Sequence, residues 1–183
     1  MRIISGEHGG RKINPPSKMP YTRPTTDIAK EGLFNILQHS LDFEELKTLD
    51  LFGGTGSISY ELASRGAKEL TIVEKDNAMY EFIKKTAAGL RLKNLKTVKA
   101  DVFRFMEQCT DTFDFIFAGP PYALPNINDL PKLVFEKQLL NKDGWFVLEH
   151  TPRNDYKTFP FFKSERNYGT TIFSVFIESR NHH

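Results

Sequence analysis

Cysteine is almost absent: Cys109 stands alone among 183 residues. An internal disulfide is therefore excluded, and we expect a reducing, cytoplasmic setting. No apolar run approaches the ~18 residues of a membrane-spanning helix, and the start M-R-I-I-S-G lacks the apolar region of a signal peptide. No G-K-S or G-K-T follows a glycine-rich turn, which excludes a P-loop. Repeats and low-complexity tracts are missing, and we expect no metal site. Net charge is only +2, so bulk charge says little about partners.

The length fits one domain, and sixteen Phe promise an aromatic-rich core. Charge is unevenly spread. Arg2, Arg11, Lys12, Lys18, Arg23 and Lys30 face only Glu7 and Asp27 in the first thirty residues. Such a bias hints at a polyanionic partner, although a solvated face would also account for it.

Along the chain, R-I-I-S and R-K-I flank G-E-H-G-G, which reads as a β-hairpin. The prolines of N-P-P-S-K-M-P then interrupt structure. We take residues 1–22 as a basic hairpin arm and 23–181 as the main domain. Thr25 or Thr26 can cap a helix carrying Ile28, Ala29, Leu33, Ile36 and Leu37 at helical spacing. Strands are expected at 46–52, 69–74, 95–100, 113–118 and 144–149, with helices at 57–65, 77–90, 102–108 and 128–140 between them. Two further β segments, 161–166 and 170–179, are joined by N-Y-G. Alternating strands and helices predict a doubly wound, Rossmann-like α/β fold with a mostly parallel seven-stranded sheet and a terminal hairpin.

Two stretches carry chemistry. In L-D-L-F-G-G-T-G, Asp50, Gly53, Gly54 and Gly56 fall where the first strand turns into a helix, at the carboxyl edge where open α/β sheets bind ligands. The dinucleotide pattern G-x-G-x-x-G fits poorly, since its third glycine would be Ser59. Asp50 also suits an amine-bearing ligand better than a pyrophosphate. Glu74 ends the second strand, where a carboxylate can accept from both ribose hydroxyls. Asp101 ends the third, beside the Val102 N–H, where it can accept from an adenine amine. Each acid alone reads equally as a helix cap; three on successive strands outline a nucleoside pocket with an ammonium-compatible end, as S-adenosylmethionine requires.

The second stretch, A-G-P-P-Y, closes the fourth strand. Pro120 and Pro121 fix the backbone and aim carbonyls that can accept from an amine, and Tyr122 can stack on a base. A loop that merely ends a strand would look the same.

Taken together, R-I-I-S-G, R-P-T-T-D-I-A-K-E-G-L-F-N-I-L, L-D-L-F-G-G-T-G-S-I-S-Y-E-L-A-S-R-G-A, V-E-K-D and F-D-F-I-F-A-G-P-P-Y resemble the class I S-adenosylmethionine-dependent methyltransferases. More narrowly, the chain resembles the bacterial family that methylates guanine N2 in 16S rRNA. The resemblance implies that Arg23, Thr25, Asp50, Gly53, Gly54, Gly56, Glu74, Lys75, Asp101 and Val102 hold S-adenosylmethionine. It implies that Gly119, Pro120, Pro121 and Tyr122 receive a flipped-out base, and that Arg2, Arg11, Lys12 and Lys18 hold RNA. The partner would be 16S rRNA or an assembling small ribosomal subunit, met by a monomer. One departure stands out. The family writes its motif Asp-Pro-Pro-Tyr, and here the first position is Gly119. Without that carboxylate we expect cofactor binding to persist and methyl transfer to weaken. A DNA adenine-N6 methyltransferase, or an RNA-binding assembly factor that retains cofactor binding, are the alternative readings.

Overall fold

The computed structural model describes residues 1–17 and 25–178. Lys18 and Arg23, expected at the RNA and cofactor sites, lie outside the described residues.

Helix α1 (Asp27–Ser40) is capped by Thr26, whose hydroxyl accepts from the Ala29 N–H at 3.2 Å. Then follow β1 (Lys47–Leu51), α2 (Ser57–Ser64), β2 (Glu69–Glu74), α3 (Asn77–Gly89), β3 (Leu95–Lys99), α4 (Val102–Gln108), β4 (Phe113–Ala118), α5 (Asp129–Glu136), β5 (Leu140–His150), β6 (Phe162–Tyr168) and β7 (Thr171–Ile177). They form one seven-stranded sheet in the order β3-β2-β1-β4-β5-β7-β6. The first five strands pair in parallel, and β7 runs antiparallel between β5 and β6. This is the doubly wound architecture expected from the sequence.

Alternation along the strands sorts the core onto two faces. Leu49, Leu51, Ile116 and Ala118 pack with Met106, Leu130 and Val134 from α4 and α5. Phe115 and Phe117 pack on the other face with Leu33, Phe34, Ile58 and Leu62 from α1 and α2. The fifth strand begins at Leu140, earlier than expected, and α5 stops at Glu136. Leu139 and Leu140 continue the apolar spacing of the helix, but Gln138 takes a φ of +52° and turns the chain back to the sheet.

The N-terminal hairpin forms as expected and is docked. Arg2 and Lys12 face each other across an antiparallel bridge. Ile3 and Ile13 are buried against Tyr60 and Leu90. Glu61 on α2 accepts the Ile4 and Ser5 N–H groups at 2.8 and 3.0 Å, and Lys30 on α1 donates to the Arg2 carbonyl at 2.5 Å. Among the described residues no helix is long and apolar enough to cross a membrane, and no group of three acidic, His or Cys side chains could hold a metal.

Candidate active site

Strand order reverses between β1 and β4, and the crevice beyond their carboxyl ends is where such sheets take ligands. Both sequence motifs meet there. Leu51 pairs with Ala118, and the Gly119 N–H donates to the Leu51 carbonyl at 3.2 Å.

The turn after β1 uses its glycines for separate reasons. A Cβ on Gly53 would sit 2.2 Å from Ile72 Cγ2, so only glycine lets the turn lie against β2. Gly56 precedes α2 with a φ of +82°, and a Cβ there would strike the Tyr60 ring at 2.4 Å. Gly54, at φ +57°, donates its N–H to Glu74 Oε1 at 2.8 Å. Phe52 also sits at positive φ, +62°, although it is not glycine. Such strain at the mouth of a cleft is characteristic of functional turns, and no sequence signal announced it.

The acids divide by environment. Glu74 accepts from the Gly54 and Asp76 N–H groups, each at 2.8 Å, which turns its carboxylate toward the glycine bend. Asp101 is exposed and caps α4, accepting the Arg104 N–H at 3.1 Å; Val102 behind it is buried, and Lys75 is exposed. Asp50 lies on the α2 side of β1, only 2% exposed, and accepts the Ser59 hydroxyl at 2.8 Å. Burial pushes its carboxyl up to about 7, with the nearby charges of Glu74 and Glu149 adding to the effect.

On the β4 side, Pro120 is buried, and the Pro121 carbonyl accepts the Leu124 N–H at 3.0 Å within a tight turn. Tyr122 is half-buried, and its hydroxyl donates to Glu149 Oε2 at 2.7 Å. Thr25 donates to Glu149 Oε1, also at 2.7 Å, while capping of α1 falls to Thr26. Glu149 thus ties three chain segments together: the entry to α1, the Pro-Pro-Tyr loop and the end of β5. Burial raises its pKa, and the two hydroxyl donors act against that rise. Sequence reading missed Glu149. The signal was present, since W-F-V-L-E ends a strand on a carboxylate just as T-I-V-E does.

The basic hairpin places Arg2, Arg11 and Lys12 in solvent. Arg2 Nε lies 3.3 Å from Asp27, and Arg11 donates to the Gly89 carbonyl at 3.3 Å. Lys30 does not share this face: it is 1% exposed and paired with Glu61, so the free positive charge is smaller than composition suggests.

The family model described as conserved hypothetical protein 95 matches residues 1–177. Ribosomal RNA small subunit methyltransferase D of Escherichia coli is 30% identical over 160 residues, which cover 87% of this chain and 79% of that one. The chain belongs to this family. The Haemophilus influenzae protein of the same name is 34% identical over 161 residues, covering 81% of this chain and 78% of its own. Among solved structures, yhhF, a candidate methyltransferase of Escherichia coli, superposes with a TM-score of 0.83 at 26% identity, over 97% of both chains. Family and fold therefore agree on a class I methyltransferase scaffold around the glycine turn.

Proposed function

We propose that the chain transfers a methyl group from S-adenosylmethionine to the exocyclic N2 of a guanine in 16S rRNA. The observation that carries this reading is the meeting of the two motifs. The glycine turn with its strand-end acids and the Pro-Pro-Tyr loop share one crevice, joined through Gly119 and Leu51.

The residues fit the methyl donor. Asp50 and Glu74 lie at the ends of the strands on either side of the turn, and paired acids there suit a sulfonium nucleoside better than a pyrophosphate. At Gly54 a Cβ would meet nothing nearer than the Phe52 carbonyl at 3.8 Å, so the turn presents open space. When bound, the donor supplies an electrophilic methyl group. Glu74 would accept from the ribose hydroxyls, and Asp101 with the Val102 N–H would meet the adenine edge. Gly53, Gly54 and Gly56 would bring the backbone close to the methionine part, with Arg23, Thr25 and Asp50 around it, and Lys75 would meet the cofactor beside Glu74. Pro120, Pro121 and Tyr122 would grip the flipped base. Arg2, Arg11, Lys12 and Lys18 would hold the RNA backbone. On this reading residues 1–22 are the RNA-facing extension and 23–181 the catalytic domain of a cytoplasmic monomer, acting on rRNA or on an assembling small subunit.

Holding amine and methyl in line supplies ~7–11 kcal/mol of the barrier. With no carboxylate at Gly119, turnover falls by ~10²–10⁴-fold unless another group accepts the amine proton. The test is transfer of tritium from methyl-labelled S-adenosylmethionine to undermethylated 30S particles, naked 16S rRNA and DNA. Label on the guanine N2 of rRNA or particles is expected. Label on DNA adenine, or none together with tight RNA binding, would replace this reading by one of the other two. Calorimetric titration with S-adenosylhomocysteine checks the pocket separately, and no heat of binding would remove the methyl donor.

A further inference from the structure

We infer that Glu149 supplies the carboxylate that Gly119 lacks, reaching the target amine from the neighbouring strand. The inference rests on the methyl-transfer reading above. Ala118 and Leu148 are paired in the parallel β4–β5 register, so positions 119 and 149 follow as lateral neighbours at the same sheet edge. A Cβ built on Gly119 lies 3.9 Å from Glu149 Oε1. The Phe117 ring lies nearer, its Cε2 at 3.1 Å, so an Asp side chain at 119 would meet that ring and the Glu149 carboxylate together.

Glu149 is 4% exposed, and among the described residues no Lys or Arg pairs with it. A buried carboxylate is costly to keep charged without partners. Its oxygens are aimed by the Thr25 and Tyr122 hydroxyls, from the entry to α1 and the Pro-Pro-Tyr loop. A carboxylate offers about four acceptor directions, and each hydroxyl engages one on its oxygen. Gly119 and Glu149 complement each other: a second acid at 119 would crowd the first, and like charges at that range resist joint ionisation. The balance of the step is simple. The amine lone pair forms the N–C bond, the C–S bonding pair returns to sulfur as a neutral thioether, and the proton of the alkylated nitrogen passes to Glu149 and then to solvent.

Four proteins test this: the wild type, Glu149→Gln, Gly119→Asp and the double variant. Each is read by single-turnover methyl transfer across pH, by calorimetry with S-adenosylhomocysteine, and by Tm at several pH values. Glu149→Gln is expected to lower the rate ~10²-fold or more, to lose the acidic limb of the rate profile, and to bind S-adenosylhomocysteine as the wild type does. The double variant is expected to regain rate. Gly119→Asp is expected to lose more Tm, relative to wild type, at pH 8 than at pH 5, because the new acid faces Glu149. The groups facing Glu149 in this comparison are Tyr122, Thr25 and, by its charge, Asp50. An unchanged rate in Glu149→Gln overturns the inference, as does an equal loss of S-adenosylhomocysteine binding, which marks a structural role. A silent wild type beside an active Gly119→Asp overturns it while sparing the methyl-transfer reading. Silence in all four removes both.

Discussion

Lys30 Nζ lies 3.5 Å from Glu61 Oε1, and neither side chain reaches solvent. The pair joins α1 to α2, and both partners also hold the N-terminal hairpin by its backbone. Burial lowers the Lys30 pKa and the Glu61 charge counters it, so the ammonium depends on its partner.

Replacing Glu61 with Ala therefore strands a buried cation and two backbone donors. We expect a loss of ~3–5 kcal/mol, measured by urea unfolding. Proteolytic cleavage within residues 1–17 should accelerate, because the hairpin loses its anchor. An unfolding midpoint equal to that of the wild type would show that the hairpin is held without Glu61, by Ile3, Ile13 and its bonds to Ser64.

Asp50 gives stability a pH dependence of definite sign. Its carboxyl titrates at about 7 in the fold against an ordinary 3.8, so the folded state keeps a proton that the unfolded chain releases. Stability is full below the ordinary value, falls as pH rises toward 7, and is level above; the whole loss is on the order of 4 kcal/mol. Asp50→Asn should flatten the fall between pH 5 and 7 and be the more stable protein at pH 8. Parallel curves for the two proteins would place the titration elsewhere.

At the glycine turn the two neighbouring positions should differ in kind. Gly53→Ala drives a Cβ into Ile72 and is expected to cost ~1–3 kcal/mol of overpacking. Gly54→Ala meets no such obstacle and pays only for its positive φ, about 1 kcal/mol. Thermal unfolding separates them, while calorimetry with S-adenosylhomocysteine should show both weakened.

Arg11 and Lys12 test the RNA surface. Changing both to Ala should weaken binding of 16S rRNA uniformly across sequences. The slope of log K against log salt should shrink by about 1.4, the value for two lost phosphate contacts on single strands. S-adenosylhomocysteine affinity should stay constant, which separates a surface effect from unfolding. An unaltered slope would place the RNA on another face.

The sequence by itself determined the alternation of strands and helices, and with it the doubly wound sheet. Short, near-continuous apolar runs such as Phe113–Ala118 and glycine bends such as Gly53–Gly56 are local signals that need no tertiary knowledge. It also marked Glu74 at the end of β2 and Asp101, which the structure places two residues past β3 as the cap of α4. Only the tertiary structure decided which groups share the site. Lys30 counted as surface charge until packing buried it against Glu61, and Thr25 stood both as a cap and as a cofactor-site residue until its hydroxyl met Glu149 across 124 positions of chain. Glu149 itself became a neighbour of Gly119 through strand register, a pairing between distant segments that no local pattern encodes. Local propensities fix elements; the lateral order of strands, set by burying both sheet faces at once, fixes the chemistry at their ends.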